Sequence, residues 1–254
     1  MAEGWYAPGM DLSGKVVVVT GAGTGVGRAL AVGFSKRGAK VAGIARTEAD
    51  LEATRARCDV FEPVVGDVSV AEDVERLFAR AEAELGPVDV LINNAAVYPK
   101  VPFLEQPMED FERALLINVM GVARCCRRAL PGMIARGFGR VVNVGSYAFV
   151  QPIPSASVYS ASKGAVSALT RAIAAEVTHP DVRVNEHMPG IFRTRMTPDE
   201  GEDPNRAFEY TLPVVSVPRD GPHGQTFLKG ELQVADEGGL KSKVKGLAKR
   251  FLGG

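Results

Sequence analysis

Cysteine is scarce in this 254-residue sequence, with three irregularly placed residues, Cys58, Cys125 and Cys126. That is too few for a disulfide framework and fits a chain kept reduced inside the cell. The adjacent pair falls in a helical-looking segment, where the two side chains point apart. Net charge is absent as well, because 30 Lys and Arg balance 30 Asp and Glu. No global field therefore favours nucleic acid or an anionic membrane as partner. No apolar run approaches the roughly 18 residues of a membrane span, and "MAEGWYAPGMDLSGK" lacks the basic-then-apolar order of a secretory signal. No linker, composition break or internal repeat divides the chain, and no metal site is expected. These absences leave a soluble, cytoplasmic, single-domain protein as the expectation.

What is present is an alternation. Short β-branched runs, "KVVVVT" from Lys15, "KVAGIA" from Lys40, "FEPVV" from Phe61, "VDVLI" from Val88, "RVVNV" from Arg140 and "VRVNE" from Val182, read as strands, with a weaker "QTFL" from Gln225. They are apolar almost throughout, as parallel strands buried on both faces are. Helical patterns lie between them at 26–37, 70–85, 111–136 and 158–177. Strand then helix, repeated about six times, predicts an α/β fold: a Rossmann-type doubly wound parallel sheet in three α/β/α layers. The domain is expected over 12–236, followed by a basic tail over 237–254. In that tail Leu240, Val244, Leu247 and Phe251 form an apolar stripe at helical spacing. A docked helix, a frayed end and a membrane-surface helix are all readings of it.

The first strand runs into "TGAGTGVG", Thr20 to Gly27. A glycine-rich turn that leaves a buried strand and opens a helix lets backbone N–H groups approach a pyrophosphate, and the helix dipole favours that charge. The loop does not spell G-x-G-x-x-G, because Val26 stands at the third glycine position. It reads T-G-x-x-x-G-x-G on Thr20, Gly21, Gly25 and Gly27, with Gly23 incidental. Such turns also form for packing alone, so the loop by itself does not decide.

Further motifs follow in order: "GDVS" at 66–69, "NNAA" at 93–96, "IN" at 117–118, "NVGS" ending at Ser146, "YSASK" at 159–163 and "MPGIFRT" at 188–194. Tyr159 and Lys163 are i and i+4 on a helix and share a face. A lysine cation beside a tyrosine, joined by the positive charge of an oxidised nicotinamide, lowers the phenol's normal pKa near 10. The phenol then exchanges a proton with a carbonyl or alcohol oxygen. Ser146 ends a strand, at the carboxyl edge where open α/β sheets bind ligands.

In this order and spacing the set resembles the short-chain dehydrogenase/reductase family, in its compact single-domain form, over residues 12 to about 196. The resemblance implies a nicotinamide-dependent oxidoreductase, carbonyl-reductase-like toward its C-terminus, that interconverts a ketone or aldehyde and an alcohol. Its implied catalytic residues are Asn118, Ser146, Tyr159 and Lys163. Ser146 would hold the substrate oxygen, Lys163 the nicotinamide ribose, and Asn118 a water in a proton relay. The implied cofactor residues are Gly21, Thr24, Gly25, Val26, Gly27, Arg46, Asp67, Val68, Asn94, Ala95, Tyr159, Lys163, Pro189, Gly190, Ile191 and Thr194. Asp67 would reach the adenine, and Asn93 and Ala95 would lie beneath the adenosine ribose. Ala96 replaces a glycine usual in the family.

Tyr98, Tyr147, Phe149, Val150, Ile153, Met188 and Phe192 would line the substrate pocket, which suits a small hydrophobic molecule. Ala45 at the end of the second strand, followed by Arg46, favours NADP over NAD, since an acid there selects NAD. Thr24 supplies no second basic group. "TPDEGEDPNRAFEYTLP" leaves little room for a helical lid, and the family's usual C-terminal "VDGG" is missing. A homo-oligomer, dimer or tetramer, is expected by resemblance. A catalytically idle nucleotide-binding member is the alternative, although Ser, Tyr and Lys are all kept.

Overall fold

The computed structural model describes residues 9–233. The tail reading at 237–254 lies outside the described residues. Seven parallel strands are β1 (Val16–Thr20), β2 (Lys40–Ala45), β3 (Phe61–Val65), β4 (Val90–Asn93), β5 (Gly139–Val144), β6 (Val182–Met188) and β7 (Thr226–Leu228). An antiparallel β8 (Glu231–Gln233) closes the edge, giving the order β3-β2-β1-β4-β5-β6-β7-β8. The helices are α1 (Gly25–Lys36), α2 (Glu48–Arg55), α3 (Ala71–Glu84), α4 (Met108–Leu115), α5 (Gly121–Arg136), α6 (Ser157–Glu176) and α7 (Arg206–Val215).

The unbroken valines of β1 serve both faces of the sheet. Val16 and Val18 join a core made with α3, α5 and α6, through residues such as Leu77, Phe78, Met133 and Val166. Val17 and Val19 join the opposite core with α1 and α7, where Phe34 meets Phe208 edge-on at 5.1 Å. Each face buries apolar area at about 25 cal/mol per Å², which is why the run does not alternate with polar residues. The result is the Rossmann-like three-layer fold. Strand order reverses between β1 and β4, and the crevice at their carboxyl ends is where such sheets hold ligands.

Three differences from the sequence reading have physical causes. The segment 111–136 is two helices joined by a π-helical turn, Leu116–Met120, at the residue Asn118 whose side chain leaves the helix to bond the β4 loop. Half of the residues of the short α2 are charged and it buries only Leu51 and Thr54, so its period is faint. α7 contains Pro213 and packs on α1, with Phe208 against the bare backbone of Gly33. No helix forms between β6 and α7, so the segment over the sheet's carboxyl edge is loop.

Candidate active site

The glycine turn joins β1 to α1 at that crevice. Gly21 has φ +68° and Gly25 φ +52°, left-handed backbone that favours glycine. A Cβ on Gly27 would collide with the Gly21 carbonyl and would lie 2.6 Å from Asn94 Nδ2. Thr24 is the helix N-cap but makes no side-chain cap bond, and the first turn of α1 carries no acid. Its free N–H groups and dipole therefore face the crevice. Gly23 is less incidental than the sequence suggested, since a Cβ there would press on Ala45 Cβ at 3.0 Å and Asp50 Cβ at 3.1 Å.

Asn94 ties the turn to β4. Its Nδ2 donates to the Thr20 carbonyl at 2.9 Å, and the Asn94 and Ala95 N–H groups both donate to Thr20 Oγ1. Asn93 points inward instead, donating to Asn143 Oδ1 at 2.8 Å and to Cys126 Sγ. The expectation that it lies beneath a ribose is corrected, because the pleat alternates and only one of the two asparagines can face the crevice. Ala96 has no positive φ, so its methyl group adds no backbone strain. Asp67 engages one oxygen in its own turn with Ser69. Val68 is buried against Gly121, which leaves only its main chain for a ligand.

Across the crevice runs the loop after β6: Pro189, Gly190, Ile191 and Thr194. The Thr194 methyl lies 3.0 Å from the space a Cβ on Gly25 would take. The next residue, Arg195, makes a bidentate pair with Asp50 at 2.8 and 3.0 Å. Arg28 donates to the Gly23 and Asp50 carbonyls. The Arg28 guanidinium also lies 3.7 Å from Asp50 Oδ1, so Arg195 and Arg28, neither singled out by the sequence, together neutralise the Asp50 carboxylate. Exposed Arg46 has no ion pair among the described residues.

At the other end of the crevice, α6 brings Tyr159 and Lys163 beneath the end of β5. Lys163 is buried, donates from Nζ to the Val144 carbonyl at 2.7 Å, and lies 5.6 Å from the Tyr159 ring centroid. The Ser146 side chain lies beside the Tyr159 phenol, and the Tyr98 ring packs edge-on against the Tyr159 ring at 4.7 Å. Asn118 Oδ1 accepts from Val97 N–H at 2.8 Å. Its Nδ2 donates to the Val97 carbonyl and to Ser162 Oγ, both at 3.0 Å. With both amide hydrogens used, a water could be held only through Oδ1 or the Asn118 main chain.

The electrostatics of the protein alone differ from the expected depression of the tyrosine. Burial pushes the Tyr159 phenol up, with the neighbouring Ser146 hydroxyl acting against it. Burial depresses Lys163 to about 8, with Glu186 opposing. The phenol therefore holds its proton firmly while the lysine stands close to its titration point.

Of the apolar residues assigned to the substrate side, Tyr147, Val150 and Ile153 are exposed at the rim. Phe149 lies back on Gly164 of α6, and Met188 is buried at the end of β6. Phe192 is a correction. It is 4% exposed and packs with Tyr210 in the α1–α7 core, because the loop turns inward to bridge Glu202.

This crevice suits a dinucleotide: a glycine cradle that Cβ atoms would fill, an unblocked helix N-terminus for a pyrophosphate, and a tyrosine–lysine pair at the far end. The short chain dehydrogenase family model matches residues 15–205, and the chain belongs to that family. Human L-xylulose reductase is 39% identical over 197 residues, covering 77% of this chain and 79% of the relative. Carbonyl reductase [NADPH] 2 of Sus scrofa is 37% identical over 199 residues, 78% and 80% of the two chains. The crystal structure of levodione reductase superposes with a TM-score of 0.80 at 26% identity, over 85% of this chain and 96% of that one. The protein is accordingly an NAD(P)-dependent oxidoreductase acting on CH–OH groups, a ketone–alcohol oxidoreductase. Among the described residues no helix is long and apolar enough to cross a membrane.

Proposed function

We propose that this protein is an NADP(H)-dependent carbonyl reductase in which Tyr159 exchanges the proton of the substrate oxygen. The observation that carries the reading is the convergence of Tyr159, Ser146 and Lys163 at the crevice that the glycine turn opens. Gly21, Gly25, Val26, Gly27, Asn94, Ala95 and Thr194 would hold the dinucleotide, which supplies the hydride. The chain's own residues handle the proton. Ser146, beside the phenol, would share the substrate oxygen with it. Lys163, fixed to β5 by the Val144 carbonyl, places a positive charge beside the ring and stabilises phenolate when the proton leaves. Tyr98 fixes the ring plane. Asn118 locks the β4 loop to α6 through Val97 and Ser162, so it acts by positioning.

For the adenosine end, Ala45 puts no carboxylate at the end of β2, and the nearby acid Asp50 is paired with Arg195 and Arg28. Arg46 is left to meet a 2′-phosphate. This supports NADP over NAD.

The rim of Tyr98, Tyr147, Val150 and Ile153 favours a small carbonyl with an apolar body. The names of the relatives favour a second class, small hydroxylated ketones. A panel of both, followed by NADPH absorbance at fixed concentration, separates them. Turnover confined to hydroxylated ketones would refute the apolar assignment, and no turnover across the panel would refute the enzyme assignment.

A further inference from the structure

The proton chemistry above leaves one buried acid unused. Glu186 on β6 is 1% exposed, with its side chain on the α6 face of the sheet. Its Oε2 accepts from Ser167 Oγ at 2.9 Å and from Thr226 Oγ1 at 2.8 Å. Its Oε1 has no hydrogen-bond partner. The carboxyl lies against the α-carbon of Gly145, where a Cβ would be 2.7 Å from Glu186 Cδ. Gly145 thus makes room for the acid. It also separates Val144, whose carbonyl takes the Lys163 ammonium, from Ser146.

On α6, Tyr159, Lys163, Ser167 and Arg171 follow at intervals of four and form one row. Glu186 joins the row at Ser167, one turn beyond Lys163. Arg171, exposed at the outer end, donates to Ser167 Oγ at 3.0 Å. An apolar residue would fill this interior position without the desolvation cost of an acid. The acid therefore calls for a reason in the neighbouring charge.

We propose that Glu186 is a positioning residue of the acid–base centre, a buried carboxylate that keeps Lys163 in its charged form. This rests on the reading of Tyr159 and Lys163 given above. The groups that touch the carboxyl are Ser167 on α6, Thr226 on β7 and the backbone of Gly145, and the charges that act on it are Lys163 and Arg171 on α6. Burial raises the Glu186 carboxyl, while the Thr226 and Ser167 bonds and then the Arg171 and Lys163 charges hold it down. Removing the carboxylate removes an attraction for the ammonium, so Lys163 releases its proton at lower pH. The Tyr159 phenolate then loses its cationic neighbour at lower pH as well.

The test is a 13Cε-lysine NMR titration of the full chain, with the Lys163 signal identified by its loss in Lys163→Arg. Wild type is expected to titrate near 8, and Glu186→Gln about one pH unit lower, with the pH profile of kcat displaced in the same direction. An unmoved Lys163 midpoint overturns the proposal, and so does a profile that stays fixed while the midpoint shifts. If thermal melting shows that Glu186→Gln does not fold, Thr226→Val removes one bond that keeps the carboxyl ionised. It should then lower the midpoint by a smaller amount, and no shift there overturns the proposal. Undiminished turnover in Tyr159→Phe would instead defeat the underlying acid–base reading, while the titration still reports whether Glu186 governs Lys163.

Discussion

Lys163 donates its ammonium to the carbonyl of Val144 at 2.7 Å, which ties α6 to the last residue of β5. Ser146 follows two residues later, and Tyr159 precedes the lysine by one helical turn. Two rigid elements therefore fix all three groups. Replacing the lysine removes both the tie and the charge, so Lys163→Met is expected to lower kcat by about 100-fold or more. Steady-state assays on the carbonyl identified by the panel, with thermal melting to show that the variant folds, check this.

The loop predicts a graded glycine series. Gly27→Ala places a methyl group on the Gly21 carbonyl, so affinity for NADPH should fall by about 10-fold or more. Gly23→Ala meets side-chain carbons at 3.0–3.1 Å and should weaken binding less. Fluorescence titration with NADPH measures both, and an equal loss in the two variants would count against the role given to Gly27.

Selectivity should depend on Arg46. Arg46→Ala is expected to cut the NADPH-to-NADH ratio of kcat/KM by about 10-fold or more, the scale of a lost charge-assisted phosphate contact. Arg195→Ala should reduce it less, because that side chain already serves Asp50. A ratio unchanged in Arg46→Ala would remove the basis for assigning NADP.

His187 sets an acid limit on stability. It is fully buried, its Nε2 has no partner, and its Nδ1 lies 3.2 Å from Thr211 Oγ1. Burial lowers its pKa to about 3, whereas the unfolded chain titrates at about 6.5. Between those values the unfolded state binds a proton that the folded state refuses, so stability drops as pH falls from about 6.5 toward 3. His187→Gln should flatten the dependence of the urea midpoint across that window. An identical slope in the variant would show that other groups carry it.

Much of the fold is legible in the sequence because the central strands of the parallel sheet, β1 above all, are apolar on both faces. Val16 to Val19 feed two cores and leave no alternation to misread. Elements decided by tertiary contacts are harder to read. The break at Asn118 comes from hydrogen bonds to Val97, twenty-one residues back in the chain, and α7 is held by Phe208 seated on Gly33. The site divides in the same way. Tyr159 and Lys163 are visible as a helical pair. Asn93 and Asn94 look equivalent until the pleat assigns one to the interior, and Phe192 looks like a pocket residue until its loop turns inward. Arg195 and Glu186 carry no local signal, since their partners Asp50 and Ser167 lie on other elements.

The most direct test of the acid–base assignment is Tyr159→Phe, which removes one oxygen and keeps the ring against Tyr98. Turnover should fall by about 10³-fold or more, while NADPH still binds with nearly its original affinity in a fluorescence titration. Near-normal turnover in a folded variant would contradict the account.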